Sequence, residues 1–167
     1  MNATVTAQEE QRYTELQEIA LNAARTGEIE ILRSMIQSGL PVDLKDNKGN
    51  TLLMLAAYNE QPGAVRCLLE EGARVDERND RGQTPLGGVA FKGYTPIARQ
   101  LIEGGANPAA DQGGGMTPLH YASMFGRSDT EEYLKTVGVD PKARSRRGMS
   151  SNLLSKFGSV VRTVRGN

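Results

Sequence analysis

Three threonines, Thr51, Thr84 and Thr117, stand 33 residues apart, and three glycines, Gly49, Gly82 and Gly115, precede them by two positions at the same step. A second glycine series, Gly39, Gly72, Gly105 and Gly138, keeps that interval. Apolar pairs run in phase just ahead of it, as Met35-Ile36, Leu68-Leu69 and Leu101-Ile102. Several independent classes of position sharing one period make the chain an array of one small unit. That excludes most of the folds otherwise open to 167 residues.

The chemistry of the unit follows from its residues. A Thr ahead of a helix accepts a bond from a backbone N–H that the first turn leaves unpaired. Pro85 and Pro118 fall at the first helical position, where no N–H is missed. Small residues, Ala56-Ala57 and Ala122-Ser123, then let neighbouring first helices approach closely. A second helix carries the Leu or Ile pair, and Gly72 or Gly105 stops it in the left-handed conformation. Ala73-Arg74-Val75-Asp76 runs on to Gly82 and its turn. Each unit is thus a turn plus two antiparallel helices, too small to bury its apolar face except by stacking. The expected fold is all-α, a solenoid of four helix-turn-helix repeats.

These residues resemble the ankyrin repeat, whose signature is T-P-L-H-x-A on the same period. Thr117-Pro118-Leu119-His120-Tyr121-Ala122 matches it in full. Thr84-Pro85-Leu86 matches until Gly87 replaces the His, and Thr51-Leu52-Leu53-Met54 keeps the Thr and one Leu. The resemblance spans residues 13–144, as units over 13–45, 46–78, 79–111 and 112–144, after an N-terminal extension over 1–12 and before a basic tail over 145–167. The first unit has Glu18-Ile19-Ala20 in place of the Thr-Pro turn but keeps Ala23-Ala24, Gly27 and Gly39, as a terminal cap should. The fourth has Thr130-Glu131 where the third has Ile97-Ala98, and Lys135 where it has Ile102. Polar residues there suggest that the stack stops or is only partly covered. Gly148 continues the period, but Ser150-Ser151-Asn152 loses the Pro and Leu, which leaves a fifth unit vestigial.

No residue constellation reads as catalytic. Gly113-Gly114-Gly115 lacks the Lys that a phosphate-binding loop places after its glycines, and reads as a flexible turn tip. The resemblance implies that His120 is structural, bonding backbone between neighbouring turns. Cys67 and His120 fall two layers apart, roughly 20 Å at ordinary helix spacing, too far to act as nucleophile and base. One Cys and one His supply neither a disulfide framework nor a metal cluster. Glu70-Glu71 and Glu131-Glu132 read as solvated faces. No secretory leader precedes the repeats, and no stretch reaches the ~20 apolar residues a membrane span requires. The expectation is a cytoplasmic protein with no cofactor and no enzymatic activity.

What remains is recognition. Arg25, Tyr58, Phe91 and Met124 occupy one position in successive units, and Thr26, Asn59, Lys92 and Phe125 the next. The resemblance implies that these positions and the turn tips line a concave groove for a partner protein. The tips are Asn47, Lys48 and Asn50, then Asp80, Arg81 and Gln83, then Gly113, Gly114 and Met116. Tyr58, Phe91 and Met124 would be the apolar anchors, forming a continuous stripe. The alternative is that they merely fill space between first helices. A second candidate is the tail. Residues 1–141 carry thirteen Lys and Arg against twenty Asp and Glu, whereas from Lys142 onward there are seven Lys and Arg and no acid. Leu153, Phe157, Val160, Val161 and Val164 fall at helical spacing there, among Lys156, Arg162 and Arg165 and after Arg144, Arg146 and Arg147. Gly158 and the valines work against a helix. The tail is expected to be frayed and able to dock on its own stack, with a disordered tail and contact to an anionic membrane surface as the alternatives. Nucleic acid is not expected, because the body is acidic and carries no such motif. The expected function is a non-catalytic scaffold that binds another protein. The rivals are a peripheral adaptor acting through the tail, and a regulatory partner of an enzyme, such as the small bacterial ankyrin proteins that accompany oxidative-stress enzymes.

Overall fold

A pair of antiparallel helices recurs four times among the residues that the computed structural model describes, which are 6–142, 148–150 and 152–156. The pairs are α1 (Ala7–Thr26) with α2 (Ile29–Gln37), α3 (Leu52–Tyr58) with α4 (Pro62–Glu70), α5 (Pro85–Lys92) with α6 (Thr95–Glu103), and α7 (Pro118–Met124) with α8 (Ser128–Thr136). The first helices α1, α3, α5 and α7 pack side by side in one layer, and α2, α4, α6 and α8 in a second. An isolated antiparallel bridge joins Lys45 and Thr51.

The local signals explain the boundaries. Thr51 Oγ1 accepts the N–H of Met54 at 3.2 Å and Thr84 Oγ1 that of Gly87 at 3.3 Å, so each threonine satisfies a donor its helix cannot. At the other end of the unit, Gly72 (φ +87°) and Gly105 (φ +94°) sit just past α4 and α6. Their left-handed backbone swings the next N–H back onto the helix, Ala73 to the Leu68 carbonyl and Ala106 to that of Leu101, each at 2.9 Å. A side chain at either glycine would strain that stop.

Packing explains why the units need one another. Every residue of α3 from Leu52 to Ala57 is buried, because α1 flanks one side, α5 the other and α4 the back. Leu68, Leu101 and Leu134 stand one per unit in the second layer, each fully buried. The first unit shows what happens without a predecessor. Ile19 and Ile31 hold the positions of Leu52 and Ala64, which are buried, yet they are 49% and 37% exposed. Here α1 is longer than its counterparts, running 20 residues after its N-cap Thr6, which pairs with Glu9 in a reciprocal capping box.

The fourth unit departs from expectation. Thr130 and Glu131 are buried, not left at an open face, and each has a partner. Thr130 Oγ1 lies 2.7 Å from Thr95 Oγ1 in the preceding helix, and Glu131 accepts from Lys135 Nζ at 2.7 Å. Beyond them Gly148 turns at φ +75°, Ser150 Oγ accepts the Leu153 N–H at 3.4 Å, and a short helix runs over 152–156. Leu154, only 3% exposed, is the residue this helix buries, whereas Leu153 is 44% exposed. The vestigial fifth unit thus keeps its turn. The tail positions Arg144, Arg146, Arg147, Phe157, Val160, Val161, Arg162, Val164 and Arg165 lie outside the described residues.

Candidate functional site

The turn tips are built by side-chain hubs. Asp46 Oδ1 accepts the backbone N–H of Lys48 and of Asn50, both at 2.9 Å. Asn79 Oδ1 does the same for Arg81 and Gln83, both at 3.0 Å. Tips are also tied to one another, by Asn79 Nδ2 donating to Asn50 Oδ1 at 2.9 Å and by the Asp80 N–H donating to the Lys48 carbonyl at 3.1 Å. Burial pushes the Asp46 carboxyl up, but the Asn50 amide, the two backbone donors and the Arg25 charge together hold it below the ordinary carboxylate range. The third tip moves its hub one residue earlier: Asp111 Oδ1 accepts from Gly113 at 2.8 Å and Gly115 at 2.9 Å. Gly113, Gly114 and Gly115 all take positive φ there. That glycine run is a pinned turn, not the loose tip its composition suggested.

The hub moves because the Gln112 side chain is used inward. Its Oε1 accepts the Thr84 N–H at 2.8 Å, and its Nε2 donates to Thr84 Oγ1 at 3.0 Å and to the Ala110 carbonyl at 3.0 Å. A Cβ at Gly87 would lie 2.0 Å from Gln112 Oε1. Gln112 therefore occupies the space that a His would fill at position 87. In the next unit His120 does that work itself. Its Nδ1 accepts the Thr117 N–H at 3.1 Å and lies 2.8 Å from Thr117 Oγ1, while Nε2 lies 3.2 Å from the Met149 carbonyl of the following turn. These contacts place the ring proton on Nε2, and His120 is buried.

The tips and first helices enclose one side of an open concavity of about 630 Å³. Tyr58, Phe91, Met124 and Phe125 line it along the first helices. Asn47, Lys48, Asn50, Asp80, Arg81 and Gln83 line it from the tips. Seven expected positions lie outside the lining, namely Arg25, Thr26, Asn59, Lys92, Gly113, Gly114 and Met116. Arg25 Nη2 is 3.8 Å from Asp46, Asn59 donates its amide to the Leu55 carbonyl at 2.8 Å, and Met116 is half-buried in the third tip. Lys92 stands beside the groove with its Nζ 4.7 Å from the Tyr58 ring centroid. The aromatic contacts run diagonally between units: Tyr58 meets Lys92, and Phe91 packs edge-to-face on Phe125 at 4.5 Å. Each pairs one position with its neighbour in the next unit. Tyr58 (44% exposed) and Phe125 (36%) stand most open.

Met54, Leu55, Gly88 and Tyr121 also line the groove and were not expected there. Each lies three or four residues before an expected position, one helical turn away on the same face, so the i−3 and i−4 spacing could have found them. A Cβ at Gly88 would lie 3.3 Å from the Tyr58 ring and press on it.

Chemically the arrangement offers contact surface. Cys67 is buried in α4, and burial pushes its thiol up, away from the reactive thiolate. Among the described residues no group of three or more His, Cys, Asp or Glu could hold a metal ion, and no helix is long and apolar enough to cross a membrane. A family model described as ankyrin repeats (3 copies) matches residues 8–79 and again residues 53–145. No curated protein matches the chain.

Proposed function

The chain belongs to the ankyrin-repeat family, and on that footing we propose that it is a non-catalytic scaffold that holds a partner protein in the groove between turn tips and first helices. Ankyrin repeats generally mediate protein–protein interaction, typically as non-catalytic scaffolds, and the groove reading locates that property in this chain. One observation carries it. Two large side chains, Tyr58 and Phe125, stand open in a concavity whose tips are fixed by hydrogen bonds within and between units. A rigid rim around exposed apolar anchors is the anatomy of an interface core with a polar surround. The space-filling alternative accounts for Phe91, half-buried against Phe125, but not for Tyr58.

The test is quantitative capture from a cell extract on three baits: the wild type, Tyr58→Ala with Phe125→Ala, and Arg66→Ala, which alters an exposed α4 residue outside the groove. Partners retained by the wild type and by Arg66→Ala, but lost from the groove variant at an unchanged melting temperature, support the reading. Partners retained equally by all three remove the groove as their site.

A further inference from the structure

The charges of this protein are not spread evenly over its faces. Residues 1–141 carry thirteen Lys and Arg against twenty Asp and Glu, an acidic balance. Four cations of the second layer and the inter-unit loops, Arg33, Lys45, Arg74 and Lys135, are held by carboxylates. Arg33 lies 3.1 Å from Glu70, Lys45 2.7 Å from Glu77, and Arg74 2.8 Å from Asp43. The groove lining carries a small excess of cations. Of its charged lining residues, Lys48 and Arg81 are cations and Asp80 is the one acid among the described residues. Neither Lys48 nor Arg81 is within salt-bridge distance of a carboxylate, although both side chains are exposed at the tips. Lys92 adds a third cation at the side, set against the Tyr58 ring instead of an acid. Asp80 is turned toward the neighbouring tip, where a Cβ on Gly49 would lie 2.4 Å from its Oδ1.

We propose that the groove is built for an acidic peptide segment carrying a large apolar side chain. The inference rests on the groove reading above and adds the chemistry of the occupant. The physical argument is complementarity. Tyr58 and Phe125 provide the apolar floor, and an anchor side chain laid there is desolvated against aromatic faces. Lys48 and Arg81 at the tips and Lys92 at the side set beside it positive charge that, among the described residues, no carboxylate pairs. A segment with Asp or Glu on either side of its anchor finds cations at the tips and beside Tyr58. A basic segment instead meets like charge at all three, and that repulsion discriminates between partners. Cations on a solvated rim mainly govern the association rate and its dependence on salt, so the preference should weaken as salt rises.

The experiment is selection of a displayed random 12-residue peptide library on the full chain, run in parallel on Tyr58→Ala/Phe125→Ala and on Lys48→Glu/Arg81→Glu. Enriched peptides are then synthesised and titrated from low to high salt. The expected result is a set of peptides with an aromatic or large aliphatic residue flanked by Asp or Glu. These should lose at least about tenfold in affinity, roughly 1.4 kcal/mol, on both variants. Their affinity for the wild type should fall with salt, and Lys48→Glu/Arg81→Glu should enrich basic peptides instead. Peptides that depend on Tyr58 and Phe125 but are neutral or basic, and indifferent to the charge reversal, overturn the acidic-segment proposal and leave the groove reading standing. A selection that yields no binder, or only binders indifferent to Tyr58 and Phe125, overturns both.

Discussion

The residues that shape this fold act through backbone hydrogen bonds, and Gln112 is the most informative of them. It reaches from one unit into the turn of the unit before and satisfies both the N–H and the hydroxyl of buried Thr84. Gln112→Ala should cost about 1–3 kcal/mol in a denaturant melt, the penalty for stranding buried polar groups. Gly87→His alone should also destabilise, because its Cβ would collide with the Gln112 amide. Combined, the two substitutions should do less harm than their sum, since the new His enters vacated space; strict additivity would show that the glutamine is no stand-in for the histidine. Asp46 gives a pH prediction. Its carboxyl is held below the ordinary range in the folded protein, so the stabilisation is present above the unfolded-state value and is lost as pH falls through the lowered folded one. Asn79 performs the hub role uncharged in the next tip, so Asp46→Asn keeps the Oδ1 acceptor and removes the charge together with the second oxygen, which accepts the Asn50 amide at 3.0 Å. The variant should be less stable than the wild type at neutral pH, and the gap should close in a melt series carried below about pH 4. A gap independent of pH would mean that the carboxylate charge contributes nothing.

At the scale of elements, stability comes from faces that one unit cannot cover alone. Leu101, fully buried in α6, should cost about 2–5 kcal/mol on substitution by Ala. A change within the noise of the denaturation curve would place that helix face elsewhere. The helix pairs, their caps and their glycine stops were legible in the sequence because each rests on local chemistry that a 33-residue period repeats. Features that depend on what a neighbour supplies were not. Thr130 and Glu131 read as an uncovered face by composition, but Lys135 partners Glu131 one helical turn on and Thr95 partners Thr130 from α6, and only the packed helices show the second. The same holds for Gly113-Gly114-Gly115, whose pinned turn depends on Asp111 taking over as hub once Gln112 points inward. In the groove, Tyr58 and Phe125 could be placed from the repeat register, whereas the diagonal pairing of Tyr58 with Lys92 and of Phe91 with Phe125 needed the offset between adjacent units.

At the scale of the whole molecule, a stack of near-identical units sets a row of first helices beside a row of tied tips, and the groove is their common edge. Its position is a consequence of the fold, while its chemistry is set by a few side chains that the fold does not need. Tyr58 and Phe125 are outside the buried core, so removing them should leave the melting temperature within a few degrees of the wild type. The most direct measurement is therefore calorimetric titration of a captured partner, or of a selected peptide, into the wild type and into Tyr58→Ala/Phe125→Ala, with thermal melts of both. The account predicts binding weaker by at least about 2 kcal/mol, roughly thirtyfold, at unchanged stability. Equal affinity for the two proteins would contradict it.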